Sequence, residues 1–186
     1  MVPRLLEKYR KEAVLKIMAA LGYKNKMQVT EIKKIVINMG VGQGAHDIKI
    51  IDDAAASLSL IAGQKAVITR AKKAIANFKI REGDPIGCKV TLRKNNMYEF
   101  LDRFVNVALP RIRDFRGISS KSFDEQGNFT VGLNDHAVFP EIEYDKIQRA
   151  LGMDITIVFE KGNREQNLLL LKLLGMPFRE SDKELE

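Results

Sequence analysis

The chain has 186 residues, with 31 Lys+Arg against 24 Asp+Glu and a formal net charge of +7. That length gives one domain by default and enough chain for a real core, and the positive excess favours an anionic partner without choosing among nucleic acid, acidic protein and anionic lipid. One cysteine excludes a disulfide framework, and His46 and His136 have no partner cysteines at ligand spacing, so neither a structural zinc site nor a cofactor is expected.

The start, MVPRLLEKYRKEAV, is interrupted by charge before an apolar core forms. It reads as neither a signal peptide nor a membrane span, and a reducing, cytoplasmic setting is the expectation. Pro3 suits a first helical turn, and Leu6, Tyr9, Ala13, Ile17 and Leu21 recur at three- and four-residue steps, which predicts a helix near 4–21 stopped by Gly22. Glu7, Lys8, Arg10, Lys11 and Lys16 mix signs on the other positions, as a solvated face does. From 31 to 39, Ile35, Ile37 and Met39 alternate with Lys34, Val36 and Asn38, which predicts a half-buried strand.

GVGQGA, Gly40 to Ala45, comes directly after that strand. A helix near 47–62 comes next, with Asp47 as N-cap, Ile48, Ile51, Ala55, Leu58 and Ala62 on one face, and Gly63 at its stop. In that context Gly40, Gly42 and Ala45 satisfy a relaxed dinucleotide-binding spacing. Against it, Asp47 puts a carboxylate where a pyrophosphate needs donors, and the region near Thr69 and Arg70 supplies no ribose-binding carboxylate. The competing readings are a tight strand-to-helix turn and a backbone nest against nucleic-acid phosphates.

The stretch from Leu58 to Lys94 interleaves core-like apolar residues with Arg70, Lys72, Lys73, Lys79, Arg81, Lys89, Arg93 and Lys94. A short extended segment is expected at 66–69. Gly83, Asp84 and Pro85 then break regular structure between Phe78 and Gly87, which predicts an exposed loop with its turn at those three residues. On the return strand, near 87–94, Ile86, Cys88, Val90 and Leu92 share one face and Lys89, Thr91 and Arg93 the other. Two cations and a hydroxyl at fixed spacing suit a phosphate backbone better than a small pocket, and Cys88 falls inward as a small hydrophobe.

Asn96 with Glu99 reads as a capping box for a helix near 97–109 that buries Met97, Phe100, Leu101, Phe104, Ala108 and Leu109 and is closed by Pro110. Arg111, Arg113 and Arg116 come next, around Ile112 and Phe115. Such arginines hold nucleic acid by charge and stacking, or an acidic protein face by bidentate pairs. Phe129, Val131 and Leu133 form a strand at 129–133 after a Gly127-Asn128 turn, and Met153, Ile155, Ile157 and Phe159 form another at 153–159. Asp135, Glu141, Glu143 and Asp145 read as surface carboxylates, since no spacing opposes an acid to a base; the chain is not expected to be an enzyme. Asn163 and Gln166 cap a last helix near 164–174 that Gly175 ends, and RESDKELE carries no apolar period. The element order fits an α+β fold: an open mixed, mostly antiparallel sheet with helices packed on one side.

Four runs, INMGVG (37–42), LSLIAGQKAVITRAKKAIANFKIREGDPIGCKVTLR (58–93), LPRIRDFRGI (109–118) and NDHAVFPEI (134–142), carry a resemblance to the bacterial large-subunit ribosomal proteins that bind 5S ribosomal RNA. The resemblance implies a single ribosomal RNA-binding domain over 1–179, with 180–186 a disordered acidic tail. It implies a structural constituent of the large subunit that binds 5S rRNA, anchors the central protuberance, and touches large-subunit rRNA, peptidyl-site tRNA and neighbouring ribosomal proteins, one of them in the small subunit. Carried over, Asn38, Met39, Gly40, Gly42, Gln64, Thr69, Arg70, Lys73, Thr91 and Arg93 would meet rRNA. Lys79, Arg81, Gly83, Asp84 and Pro85 would meet tRNA, and Arg111, Arg113, Arg116 and Phe139 the small-subunit protein. The alternatives from the residues alone are a nucleotide-dependent oxidoreductase using the Gly40 loop and a basic adaptor for an acidic protein; neither involves a membrane.

Overall fold

The computed structural model describes residues 2–42, 48–142 and 150–179. Ala45, His46, Asp47, Glu143, Asp145 and the 180–186 tail lie outside the described residues. The helices are α1 (Arg4–Lys8), α2 (Val14–Leu21), α3 (Ile48–Ala62), α4 (Lys94–Arg103) and α5 (Arg164–Leu174). Among the described residues no helix is long and apolar enough to cross a membrane.

Strands β1 (Ile32–Gly40), β2 (Val67–Arg70), β3 (Pro85–Leu92), β4 (Phe129–Leu133) and β5 (Met153–Phe159) form one open antiparallel sheet in the order β2-β3-β1-β5-β4. The alternation read from the sequence is the alternation of burial. Ile35, Ile37 and Met39 of β1, Cys88, Val90 and Leu92 of β3, and Ile155, Ile157 and Phe159 of β5 are buried, while the intervening residues are not. Apolar residues at every second position fill one face only, so one face is covered and the other stays open, as the α+β expectation required. Burial pushes the Cys88 thiol up to about 11, in keeping with a packing role.

The sheet order also disposes of the dinucleotide reading. β3 lies between β1 and β2, so the β1–α3–β2 connection does not join neighbouring parallel strands, and the crevice in which a dinucleotide turn works is not built.

The chain groups into two compact units, the first taking residues up to Ile35, Leu92–Val131 and from Thr156 onward, the second Val36–Thr91 and Gly132–Ile155. In the first unit, a single π turn, Tyr9–Ala13, joins α1 to α2. Its extra residue rotates α2 about the helix axis, so Val14 and Ile17 are buried with Leu5, Leu6 and Tyr9, while Leu21 ends up exposed. Gly22 closes α2 in the left-handed conformation, as expected.

α4 departs from the sequence reading. It begins at Lys94, with Arg93 as an N-cap that makes no side-chain bond, so Asn96 and Glu99 lie inside the helix and form no capping box. The chain leaves β3 through Arg93 (φ −140°) and turns at Lys94 (φ 53°), before Asn96 is reached. Pro110 does not close it either: helical structure continues through a π turn, Phe104–Ala108, into a 3-10 turn, Leu109–Arg111, that accepts proline at its start. α5 behaves as read, with a complete Asn163/Gln166 capping box and left-handed Gly175 beyond it.

Two buried tyrosine hydroxyls of the first unit have opposite fates. Tyr9 donates its hydroxyl to the Thr30 carbonyl at 3.0 Å. The Tyr98 hydroxyl is buried with no hydrogen-bond partner among the described residues, and burial, then Glu31 and Tyr9, hold its pKa above the usual phenol range. Tyr98→Phe is therefore expected to leave the urea midpoint unchanged or to raise it, because a desolvated hydroxyl that gains no bond stabilises nothing. A loss above roughly 1 kcal/mol would show that the hydroxyl is bonded after all.

In the second unit α3 buries Ile51, Ala54, Leu58, Ile61 and Ala62. Its apolar stripe is rotated from the one read in the sequence, with Ile48 exposed and Ala54 and Ile61 taking the inner positions.

Candidate nucleic-acid interface

The open face of the second unit is built by register. β2 and β3 are antiparallel, with Val67 opposite Lys89 and Thr69 opposite Gly87. Directly opposed residues share a face, so Val67, Thr69, Lys89 and Thr91 line the uncovered side together, while Gly87, in the same phase, is buried. On β1 the same side takes Val36, Asn38 and Gly40, the unburied phase. Apart from Lys89, these side chains are small. A long flat backbone can therefore approach closely, with Asn38, Thr69 and Thr91 offering hydrogen bonds and Lys89 a charge that no carboxylate offsets among the described residues. Asp154 on β5 is exposed in the unburied phase of its own strand, where a phosphate would be repelled.

Gly87, overlooked in the sequence reading, is the tightest point. A Cβ there would lie 2.5 Å from the Met39 carbonyl oxygen and 3.5 Å from Gly40 Cα, so the close approach requires hydrogen at that position. A glycine interrupting an alternating strand was the available signal. Gly40 and Gly42 differ: neither has a left-handed φ, and a Cβ at either would meet nothing within 4 Å among the described residues. The turn read at these glycines runs into 43–47, which lie outside the described residues.

The predicted rRNA residues fall into several places. Asn38, Gly40, Thr69 and Thr91 are together on the face. Gln64, exposed after α3, points its amide nitrogen at the Thr91 carbonyl from 3.5 Å, a weak contact. Met39 is fully buried, so it can offer a partner only backbone. Arg93 is exposed, extended, and in phase with Lys89 and Thr91, but belongs to the first unit. Arg70 is engaged, donating from Nη1 to the Gly83 carbonyl at 2.9 Å, and Lys73 stands on a projecting loop rather than on the sheet.

That loop is a short two-legged finger extending β2 and β3. Ala71 N–H donates to the Asp84 carbonyl at 2.8 Å and Gly83 N–H to the Ala71 carbonyl at 3.0 Å, and farther out Ile75 and Ile80 exchange two bonds of 2.9 and 3.2 Å. The tip is a 3-10 turn, Ala76–Phe78, with Lys79 left-handed at φ 52°. The expected turn at Gly83-Asp84-Pro85 is thus misplaced: those residues form the root, where Asp84 accepts from the Arg81 N–H at 2.7 Å and Pro85 pairs with Arg70 at a register shift. Of the predicted tRNA set, Lys79 is at the tip and Arg81 is exposed beside it.

In the first unit Arg111, Arg113 and Arg116 are exposed, with no acidic partner among the described residues. Their loop is anchored at Gly117 (φ +90°), whose carbonyl accepts from Arg179 Nε at 3.0 Å, and Ile118 N–H donates to the Pro177 carbonyl at 2.9 Å. Phe139 does not join them. It is only 1% exposed in the second unit, so its ring serves the core and leaves the set of surface contacts.

Residues 25–81 match the family described as ribosomal protein L5, and residues 85–178 the ribosomal L5P family C-terminus. The chain is 56% identical over 178 residues to a protein of Clostridium acetobutylicum, covering 96% of this chain and 99% of that one. It is 57% identical over 178 residues to one of Clostridium tetani, with the same coverage. A protein of Geotalea daltonii is 56% identical over 176 residues, covering 95% of this chain and 98% of its own. All three carry the name large ribosomal subunit protein uL5.

Proposed function

The chain belongs to the ribosomal protein L5 family and is a structural constituent of the large ribosomal subunit rather than an enzyme, and from that premise we propose that it binds 5S rRNA through the open β2-β3-β1 face. The observation that carries this reading is the flat patch of Asn38, Gly40, Thr69 and Thr91, with Lys89 on it. Paired RNA is recognised by shape, phosphate and 2′-hydroxyl contacts, and small polar side chains beside isolated cations provide those without reading bases. Arg70 acts at one remove by bracing the finger root. The finger, with Lys72, Lys73, Lys79 and Arg81, reaches peptidyl-site tRNA, and the arginine loop at 111–116 meets an acidic surface on a small-subunit protein. The protein works in the cytoplasm, within the central protuberance and against large-subunit rRNA.

Isolated protein titrated with 5S rRNA over a series of salt concentrations tests the face. Lys89→Ala and Arg93→Ala are each expected to weaken binding and to lower the magnitude of the salt slope by about one, the share of one phosphate contact. Unchanged affinity and slope in both, with native melting, would move the RNA site elsewhere.

A further inference from the structure

The finger tip presents a feature that phosphate binding does not explain. Its backbone is satisfied internally: Ile75 and Ile80 exchange both their bonds, and Lys79 N–H donates to the Ala76 carbonyl at 3.0 Å. Yet two large apolar side chains there stay outside, Phe78 at 64% and Ile75 at 46% exposure. Lys79 holds a left-handed conformation that side chains with a Cβ rarely adopt, and it fixes the chain reversal immediately after the ring. Lys72, Lys73, Lys79 and Arg81 are all exposed on the same finger, against two acidic residues, Glu82 and Asp84, the latter at its root.

We propose that Phe78 is a stacking residue, which lays its ring on the face of an unpaired or stack-terminal nucleobase in a looped part of the tRNA while the surrounding cations hold the adjoining phosphates. The inference rests on the finger meeting tRNA and goes further by naming what it grips. A pure phosphate contact needs no ring, and an exposed phenyl group among cations suits the combination in which single-stranded nucleic acid is held, an aromatic platform inside a positive rim. Every base has a π-face, so one ring serves many tRNAs without selecting sequence. The pre-set turn means that little freedom remains to be lost on binding.

The test uses ribosomes reconstituted with variant proteins and reads tRNA dissociation from the peptidyl site. Phe78→Ala is expected to release tRNA about tenfold faster, the effect of losing one base–aromatic stack. Phe78→Trp is expected to retain it as the native protein does, and Phe78→Leu, apolar but without a π-face, to behave as Phe78→Ala. Melting of each free protein is expected to match the native one, since the ring lies outside the core. Native retention by Phe78→Leu would overturn stacking in favour of apolar packing, against protein or ribose. A finger lacking residues 74–81 separates the two levels. If it releases tRNA quickly while Phe78→Ala does not, stacking fails and the tRNA contact stands. If neither variant changes release, the contact fails and stacking with it.

Discussion

Asn167→Leu is expected to lower the unfolding free energy by roughly 3 kcal/mol, and a urea titration reads the loss directly. Asn167 is completely buried on α5. Its Oδ1 lies 2.6 Å from the Thr30 hydroxyl, which also reaches the Lys161 carbonyl, and its Nδ2 donates to the Gly127 carbonyl at 2.9 Å. One amide thus ties α5 to the chain before β1 and to the turn before β4. Leucine would leave the Gly127 carbonyl desolvated without a donor, and an unmade buried bond costs more than a made one contributes. There is also no room for branched methyls. A Cβ on Gly127 or Gly162 would come within 2.8 Å of the Asn167 side chain, so two left-handed glycines already press upon it. A loss below about 1 kcal/mol would show that the amide is dispensable and that water or a shifted turn replaces it.

Gly87→Ala carries the largest expected effect on RNA binding. The added methyl would sit 2.5 Å from the Met39 carbonyl oxygen, backbone that cannot rotate aside, so β3 or β1 must shift under the face itself. We expect 5S rRNA affinity to fall by about tenfold or more, with a stability loss of roughly 1–3 kcal/mol, measured by RNA titration at fixed salt beside denaturant unfolding. Gly40→Ala is the informative companion. Its methyl meets nothing within 4 Å among the described residues, so stability should hold while affinity falls, because the methyl intrudes on space reserved for the partner. Native affinity in both variants would mean that RNA does not approach the sheet at this point.

Several parts of this molecule are legible locally. A strand covered on one side must alternate, so β1, β3, β4 and β5 could be read from every second residue. Helix ends whose bonds are made within a few residues were equally plain, as at Gly22, Asn163 with Gln166, and Gly175. The basic strand, the finger and the arginine loop were recognisable as charged surface, and the long 58–93 run sufficed to name the family.

What the linear pattern left undecided depends on which distant residues become neighbours. Apolar period alone does not distinguish Phe139, sealed in the core, from Phe78, held out at the finger tip. Nor does it say that Arg70 is spent on Gly83, or that Gly83-Asp84-Pro85 is the root of the finger because Ile75 pairs with Ile80 beyond it. Three glycines near the face look alike in sequence, yet only Gly87 meets a backbone, because β3 lies beside β1 at Met39. By itself the sequence determined the strand faces, the caps at Gly22, Asn163 and Gly175, and the family, since each arises from residues within a turn or a strand of one another. Strand order and register decided which of those residues are free to meet RNA, because a side chain's availability depends on contacts made by residues dozens of positions away.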